Sequence, residues 1–309
     1  MLASERVAPP ALALAGDAAE IEACYEICRE IARHHSKTFY LSSLFLGSEQ
    51  KRAVWAVYAF CRTADDIVDR IAPADERLAA LDAWEARLLG AYDGCADEPI
   101  FVAFADAARR FAIPIQPALD LLRGARMDVT IRRYETYDDL REYCYLVAST
   151  VGLLVMPVLG TRSPDAARYG VELGRAMQMT NILRDVGEDA RLGRIYLPGE
   201  DIRRFGCEEP AILASVVDER FVALMRYQID RVRAMYAEAE PGVALLAPES
   251  RYTVRLALSL YRGILERIEA NGYDVFTRRA FVPLGAKMLT ALTVAARTRR
   301  PSRSSRSAR

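Results

Sequence analysis

Hydrophobic residues recur at three- and four-residue spacing along most of the chain from residue 20 onward, the periodicity typical of amphipathic helices. The first such segment reads EIEACYEICREIARHHSKTF. Further segments with the same periodicity are 50–69, 75–93, 99–112, 117–128, 137–160, 165–190, 210–239, 250–270 and 279–297. Prolines fall between several of these segments, where helices are expected to end. No stretch alternates hydrophobic and polar residues for long enough to predict a sheet.

This pattern predicts an all-α protein, a single domain of about ten helices. Several segments are apolar on more than one face, which is typical of helices at the centre of a large bundle. We expect residues 1–18 to form a mobile N-terminal segment, residues 19–296 to form the helical domain, and residues 297–309 to form a disordered basic tail.

Charge and cysteine usage narrow the class of protein. The chain of 309 residues has 42 Lys and Arg side chains against 42 Asp and Glu, so its overall charge gives no indication of a nucleic-acid partner. In the tail, residues 297–309 include six arginines and no acid; a solvated tail and attraction to an anionic membrane surface both stay open.

Six cysteines without a C-x-x-C pair, and two adjacent histidines, predict reduced thiols in a cytoplasmic protein rather than a zinc site. The uncharged stretch 145–160 is shorter than a membrane span and is interpreted as a buried helix.

An acidic motif ends the apolar segment AVWAVYAFCRTADDIVD. Asp65 and Asp69 are four residues apart, so on a helix they share one face, and Arg62 lies on the same face. Like charges at this spacing destabilise a helix by a few tenths of a kcal/mol, and burial raises that cost. A cation is therefore expected nearby.

A second acidic motif with the same spacing occurs in QMTNILRDVGED. Asp185 and Asp189 lie one turn apart, and Gln178 and Asn181 precede them on the same face. Each motif alone is compatible with a solvated helix end. Two such motifs, each extending a polar stripe into an apolar helix, indicate a pair of carboxylate-rich faces that bind cations.

Oxygen ligation of Mg²⁺ fits these motifs best, because Mg²⁺ keeps several waters and is usually held by one or two carboxylates plus substrate phosphates. Such ions would neutralise a diphosphate leaving group as its C–O bond breaks. Ser36, Lys37 and Thr38 offer one cationic and two hydroxyl groups, and Arg194 and Tyr196 follow the second motif closely. We expect the segment GRIYLP to form an irregular flap over the site.

Two common kinds of chemistry lack support in the sequence. No G-x-x-x-x-G-K-[ST] motif occurs, and no G-x-G-x-x-G motif follows a predicted strand, so neither a nucleotide phosphate site nor a dinucleotide site is indicated. Both histidines lie at 34–35, which leaves no Ser–His–Asp signature.

The chain resembles the squalene/phytoene synthase family over about residues 20–295, and within it the phytoene-forming branch of bacteria and plants. The segments that match in order and spacing are HSKTFYLSS, AVWAVYAFCRTADDIVD, RGARMDV, YCYLVASTVGLLVMPVLG and TNILRDVGEDARLGRIYLP. The resemblance implies the isoprenoid-synthase helical bundle with a central apolar cavity.

The resemblance also implies roles for individual residues. The residues it assigns to metal binding and catalysis are Asp65, Asp69, Asp185 and Asp189, with Asn181 as a further metal ligand. Tyr143 and Tyr261 match tyrosines near the reacting carbons. The residues it assigns to substrate binding are His35, Ser36, Lys37, Arg62, Val147, Val151, Gly152, Leu154, Gln178, Asn181, Arg184, Arg194, Tyr196 and Lys287.

The activity implied by the resemblance is head-to-head condensation of two geranylgeranyl diphosphates, through a cyclopropyl diphosphate, to phytoene. Mg²⁺ or Mn²⁺ is the expected cofactor, and no NADPH is expected. This reaction is the first committed step of carotenoid biosynthesis, so other carotenoid enzymes are expected upstream and downstream. The expected location is the cytoplasm, with peripheral contact at the inner membrane face left open.

Three alternatives remain at this point. The first is a 30-carbon product, from a dehydrosqualene, squalene or presqualene diphosphate synthase. The second is a chain-elongating prenyl synthase, because DDIVD matches the D-D-x-x-D motif of those enzymes. The third is a non-catalytic protein with the same fold, which the complete set of acidic and basic residues disfavours.

Overall fold

The structure is a computed structural model that describes residues 18–70 and 72–299. Within this part of the chain the helices are α1 (Ala18–His35), α2 (Lys37–Ser43), α3 (Ser48–Asp69), α4 (Ala74–Tyr92), α5 (Pro99–Phe111), α6 (Gln116–Thr130), α7 (Tyr137–Cys144), a π-helical turn (Tyr145–Ser149), α8 (Thr150–Leu159), α9 (Ala166–Arg191), α10 (Gly199–Arg204), α11 (Glu209–Leu213), α12 (Glu219–Ala239), a 3₁₀ turn (Glu240–Leu245), α13 (Pro248–Ala270) and α14 (Leu284–Arg299). The described residues form no β-strand, only two isolated bridges. The predicted all-α fold is confirmed.

Local sequence explains most helix boundaries. Pro99 and Pro248 are the first residues of α5 and α13, where a proline loses no helical hydrogen bond. Ser36 divides the first predicted segment into α1 and α2, because its side chain accepts a hydrogen bond from the Phe39 amide, 3.3 Å away. The segment predicted at 210–239 likewise contains two helices, α11 and α12.

The predicted tails fall largely outside the described residues. Residues 1–17 and 300–309 are not described, and α14 continues through Arg299, two residues past the predicted start of the tail. The assignment of 19–296 as one domain stays a prediction.

The apolar core consists of two clusters of buried side chains. The first unites α1 and α3–α6 with one side of α8, and the second unites α7 with α9–α13. Helix α9 packs against α8, α12 and α13, so it lies between the clusters. This arrangement leaves an interior space that α3, α8, α9 and α13 border.

The continuous helical segment Tyr137–Leu159, with 23 residues, is long and apolar enough to cross a membrane by length and composition. It is longer than the stretch considered in the sequence because α7, the π-helical turn and α8 join without a break. In this structure the segment contacts α3, α6 and α9. Leu146, Leu154 and Val158 are buried there, while Val147 and Val151 face the interior space, which accounts for the apolar composition.

Candidate active site

The two acidic motifs lie at the C-terminal ends of long helices. Asp65 and Asp69 occupy the last turns of α3, which ends at Asp69. Asp185 and Asp189 occupy the last turns of α9, which ends at Arg191. The C-terminal end of a helix has a partial negative charge, so anionic side chains there are disfavoured. Both pairs therefore stand where a bound cation would relieve repulsion.

Desolvation, followed by repulsion from neighbouring carboxylates, raises the pKa of one aspartate on each helix. Asp65 borders the interior space and is solvent-accessible from it, yet the surrounding protein atoms desolvate its carboxylate and raise its pKa to about 7. Desolvation and then the charge of Asp185 raise the pKa of Asp189 to about 7. The charge of Asp128 also raises both pKa values, so its carboxylate interacts with both acidic motifs.

Asp128, on α6, is a site residue that the sequence reasoning did not assign. Its carboxylate accepts hydrogen bonds from the hydroxyls of Tyr143 at 2.9 Å and Tyr196 at 2.8 Å. Burial raises the pKa of Asp128, while these two hydrogen bonds act in the opposite direction. The segment RGARMDV contains Asp128, but a single aspartate in an amphipathic helix gives no signal of its own.

Three tyrosine rings pack together around this carboxylate. The rings of Tyr143 and Tyr196 are stacked with centroids 5.4 Å apart, and Tyr134 lies 5.2 Å from Tyr143 and 5.8 Å from Tyr196. Burial raises the pKa of the Tyr143 hydroxyl well above its usual range, so this side chain acts as a neutral hydrogen-bond donor. The cluster offers aromatic faces beside the acidic residues.

The segment GRIYLP is irregular, as predicted from the sequence, and backbone hydrogen bonds fix it to the rest of the protein. That it forms a flap over the site stays a prediction. Gly193 adopts φ +71°, which turns the chain sharply after α9. The Ile195 amide then donates to the Arg132 carbonyl at 3.1 Å, and the Gly199 amide donates to the Tyr134 carbonyl at 2.9 Å. These backbone hydrogen bonds hold Arg194 and Tyr196 against α6.

Three arginines form ion pairs with aspartates of the two acidic motifs. Arg62 pairs with Asp66, the aspartate between the two predicted ligands. Arg184 pairs with Asp185, its Nε lying 2.8 Å from a carboxylate oxygen. Arg279, which the sequence reasoning did not assign, reaches Asp185 at 3.0 Å from the loop after α13. That contact joins residues 94 positions apart, so no local pattern indicates it.

Two of the predicted diphosphate-binding arginines have unused donors. Among the described residues, the Nε atoms of Arg62 and Arg194 are buried and have no hydrogen-bond partner. A buried guanidinium donor without an acceptor is costly. Phosphate oxygens are strong acceptors for arginine, so both side chains fit a diphosphate group between the acidic helices.

The N-terminal motif approaches the site from α2. Lys287 on α14 donates to the Thr38 hydroxyl at 2.9 Å. Desolvation and then the charge of Lys37 lower the pKa of Lys287. Ser36 borders the interior space and His35 is exposed at the end of α1. The structure thus places Lys287 against the segment Ser36–Thr38, which was assigned to the substrate from the sequence.

An interior cavity of about 360 Å³ extends from Asp65 and Arg62 into the bundle. The predicted site residues that line it are Ser36, Arg62, Asp65, Val147, Val151, Gly152, Gln178, Asn181 and Tyr261. Tyr261 lines the cavity together with Asn181, and burial raises the pKa of its hydroxyl. On α9 the lining runs from Asn181 back to Ala166, which corresponds to about 22 Å along the helix at ~1.5 Å per residue. One end of the cavity is polar and the rest is apolar.

Leu154 does not line this cavity, contrary to the expectation from the sequence. It is fully buried in the first core cluster. The cavity-facing residues of α8 are Val151, Gly152, Val155, Met156 and Leu159. Their helical spacing places Leu154 on the opposite face of α8. Val155 and Met156, which the sequence analysis did not assign, line the cavity instead of Leu154.

The donor set fits a divalent metal held jointly with a phosphorylated substrate. No group of three or more His, Cys, Asp or Glu side chains within the described ranges is close enough to hold a metal by itself. Mg²⁺ needs only one or two carboxylates when water and phosphate oxygens complete its octahedron. Two aspartate pairs, in which Asp65 and Asp189 have raised pKa values, and the unpaired Nε donors of Arg62 and Arg194 meet that requirement.

Comparison with known proteins decides the family. The sequence pattern of "Squalene/phytoene synthase" matches residues 32–286. The chain belongs to the squalene/phytoene synthase family. A phytoene synthase of Arthrospira platensis is 45% identical over 278 residues, covering 86% of this chain and 90% of that protein. Phytoene synthase 2, chloroplastic, of Solanum lycopersicum is 40% identical and covers 96% of this chain and 97% of its own.

Solved structures of the family share the fold. The crystal structure of a dehydrosqualene synthase in complex with ligand superimposes with a TM-score of 0.85 at 34% identity, covering 90% of this chain and 98% of that one. The chain is therefore a prenyltransferase-type enzyme with the isoprenoid-synthase helical fold, as the sequence predicted. Enzymes of this family act on prenyl diphosphates and generally need a divalent metal. This membership favours head-to-head condensation over the chain-elongating interpretation of DDIVD.

Proposed function

We propose that this protein condenses two molecules of geranylgeranyl diphosphate head to head into phytoene, releasing two diphosphates. The observation that supports this proposal is the cavity, which is polar at the end lined by Arg62, Asp65 and Asn181 and apolar along the rest. The similarity to phytoene synthases at 40–45% identity supports the same activity.

The metal is proposed to be Mg²⁺ or Mn²⁺, with Asp65, Asp69, Asn181, Asp185 and Asp189 as protein ligands. When bound, such an ion neutralises the diphosphate leaving group as its bond to the allylic carbon breaks. Ionisation of this bond gives an allylic cation, which the double bond of the second substrate attacks.

The basic residues of the site are proposed to bind the diphosphates. Arg62 and Arg194 have buried Nε donors available, Lys287 donates to the Thr38 hydroxyl, and Lys37 is the first residue of α2. Desolvation, and then the charge of Lys37, lower the pKa of Lys287, and an anionic ligand at this point would stabilise its charged form.

The tyrosines are proposed to act near the reacting carbons. Asp128 accepts a hydrogen bond from Tyr143 and so fixes the orientation of that ring, and Tyr261 lines the cavity together with Asn181. Their faces would stabilise positive charge on the substrate. Loss of a proton closes the cyclopropyl diphosphate; a second ionisation, ring opening and loss of another proton leave a central double bond, so no reductant is consumed.

A product assay without NADPH tests this proposal. Purified protein with Mg²⁺ or Mn²⁺ is incubated with geranylgeranyl diphosphate, and in parallel with farnesyl diphosphate. A 40-carbon hydrocarbon with the ultraviolet spectrum of a conjugated triene supports phytoene synthesis. Product from farnesyl diphosphate alone would replace it with a 30-carbon activity, and a stalled cyclopropyl diphosphate with a presqualene-type activity. Consumption of neither substrate would support the non-catalytic alternative.

The catalytic domain is proposed to comprise residues 19–296, in a cytoplasmic protein that touches the inner membrane face peripherally. The plant relative named above is chloroplastic. The argument for membrane contact is chemical: a long hydrocarbon product is insoluble in water and must pass into an apolar phase.

A further inference from the structure

Tyr134 has a buried hydroxyl group that the protein itself does not use. The residue is 4% exposed, and within the part of the chain that the structure describes its hydroxyl has no hydrogen-bond partner. Burial raises the pKa of this hydroxyl far above its usual range, so it stays protonated and can donate. A buried hydroxyl without a partner is costly, so a ligand that supplies an acceptor here would be bound more tightly.

Two neighbouring backbone segments place Tyr134 beside the residues that follow α9. Arg133 and Ile195 form an isolated parallel bridge. Side chains alternate between the two faces of an extended segment, so Tyr134, Arg194 and Tyr196 project to the same side of this bridge. The rings of Tyr134 and Tyr196 are stacked with centroids 5.8 Å apart, in agreement with this placement.

Arg194 contributes a second unused donor on that side. Among the described side chains its Nε atom is buried and without a partner, although a terminal nitrogen of its guanidinium donates to the Asp128 carbonyl at 3.4 Å. Tyr196 donates to one carboxylate oxygen of Asp128, and Tyr143 donates to the other. Of the three clustered tyrosines, Tyr134 is thus left without an acceptor among the residues described.

We propose that the Tyr134 hydroxyl and the Arg194 Nε form an anion subsite, in which both donate to phosphate oxygens of the substrate. A protonated phenol and a guanidinium both donate, whereas phosphate oxygens accept, so one phosphate group can satisfy both. This role of Tyr134 deepens the proposed function and rests on its diphosphate site.

The charges around the subsite favour an anion that binds together with a cation. Among the groups that act on the Tyr134 hydroxyl are the negative charge of Asp128 and the positive charge of Arg194. The Arg194 amide donates to the Asp189 carbonyl at 2.9 Å, so a proposed metal ligand adjoins the subsite. Diphosphate is therefore expected to bind here with Mg²⁺, which offsets the two carboxylates, rather than alone.

Calorimetric binding of inorganic diphosphate with Mg²⁺ to the full-length protein tests the assignment. The test variant is Tyr134→Phe, which keeps the ring and removes only the hydroxyl. The matched control is Tyr25→Phe, because Tyr25 is 2% exposed in the first core cluster and donates to Asp106 at 2.9 Å. We expect Tyr134→Phe to weaken diphosphate binding at least about tenfold, the scale of a hydrogen bond to a charged group, and Tyr25→Phe to leave it unchanged.

The thermal stability of the ligand-free proteins gives a second readout. Removing a hydroxyl without a partner should leave Tm unchanged or raise it, whereas Tyr25→Phe breaks a hydrogen bond and should lower Tm by about 2 to 4 °C. A comparable fall of Tm in Tyr134→Phe would show that the hydroxyl already has a partner in the free protein, a bound water included, and would overturn the proposal.

Two further outcomes would also overturn it. One is an unchanged affinity of Tyr134→Phe for magnesium diphosphate, and the other is an unaltered protein that does not bind magnesium diphosphate. The product assay decides the proposed reaction separately. If the unaltered protein forms phytoene while Tyr134→Phe binds diphosphate as tightly as it does, only the role of Tyr134 is wrong.

Discussion

The hydroxyl of Tyr143 donates to the carboxylate of Asp128 at 2.9 Å, and Tyr196 donates to the other oxygen of the same carboxylate. One aspartate on α6 thus fixes two tyrosines that come from α7 and from the segment after α9. Asp128 is an acceptor that positions Tyr143.

Replacing Asp128 by asparagine tests this positioning role. Asp128→Asn keeps one acceptor oxygen but turns the other into a donor, so the two tyrosines can no longer both donate. We expect kcat to fall about tenfold to a hundredfold with a smaller change in KM, as for other residues that orient site groups. In a double-mutant cycle with Tyr143→Phe, the double variant should lose little more than the more damaged single variant.

Asp120→Asn is the control for this measurement, because Asp120 lies on the same helix and contacts Arg123 and Gln116. It should leave kcat unchanged. Independent, additive losses for Asp128→Asn and Tyr143→Phe would show that Asp128 does not act through Tyr143.

The acidic pairs give a second prediction. Asp65→Ala or Asp185→Ala removes an oxygen ligand from the proposed metal site, so we expect turnover to fall at least about a hundredfold, the scale of charge stabilisation by a bound cation. Helical content by circular dichroism should be unchanged. Asp82→Ala, which removes an exposed helical aspartate paired with Arg126, is the control and should retain activity. Undiminished turnover in Asp65→Ala would contradict the metal assignment.

The acidic pairs could be predicted from sequence because their geometry is local. A four-residue spacing on a helix fixes which side chains share a face, and the apolar residues around Asp65 and Asp185 make those carboxylates conspicuous. The all-α fold followed for the same reason, since helical periodicity is read within a few turns.

Contacts between distant segments could not be predicted in this way. Arg279 meets Asp185 only because the loop after α13 folds back onto α9. Asp128 gains its role from two tyrosines that other elements supply. Leu154 was assigned to substrate binding by the resemblance to the family, and its segment is so uniformly apolar that the pattern could not distinguish the cavity face of α8 from the core face.

The raised pKa values of Asp65 and Asp189 predict that metal affinity depends on pH. Both lie at about 7, so at lower pH these carboxyls hold protons that a metal must displace. Affinity for Mg²⁺ should therefore rise between about pH 6 and about pH 8, and binding should release protons in that range. Calorimetric titration in buffers of different ionisation enthalpy measures both quantities. An affinity that is constant over this range would contradict the prediction.

The same shifts determine the stability of the metal-free protein. A carboxyl whose pKa is raised by folding binds its proton more tightly in the folded state. Its contribution to the free energy of unfolding is therefore fully present below the pKa of the unfolded chain and is lost as pH rises through about 7. We expect Tm without metal to fall as pH rises across this window, and added Mg²⁺ to restore it. Asp65→Asn, which removes one titrating group, should flatten the dependence while abolishing activity.

Gly187, between the two aspartates of α9, allows the loop after α13 to approach. A Cβ atom there would lie 2.5 Å from the Val275 carbonyl oxygen and 2.7 Å from the Phe276 Cα. Backbone cannot move aside as a flexible side chain can, so Gly187→Ala should lower the free energy of unfolding by about 1 to 3 kcal/mol. Gly285→Ala on α14, where a Cβ meets open space, should instead stabilise by up to about 1 kcal/mol. Urea denaturation of both variants measures the contrast, and equal stabilities would refute the close approach.

Substrate length is expected to depend on the apolar end of the cavity. Val254 lines it two helical turns before Tyr261 on α13, about 10 Å further from the acidic residues at ~1.5 Å per residue. Val254→Phe would fill space needed by the end of a 20-carbon chain while leaving room for a 15-carbon chain. The ratio of kcat/KM for geranylgeranyl diphosphate to that for farnesyl diphosphate should therefore fall at least about tenfold, the scale on which hydrophobic pockets discriminate chain length. Val217→Phe, at an exposed position outside the cavity, is the control and should keep the original ratio. If Val254→Phe lowers both kcat/KM values equally, other residues of the cavity determine the length of the substrate.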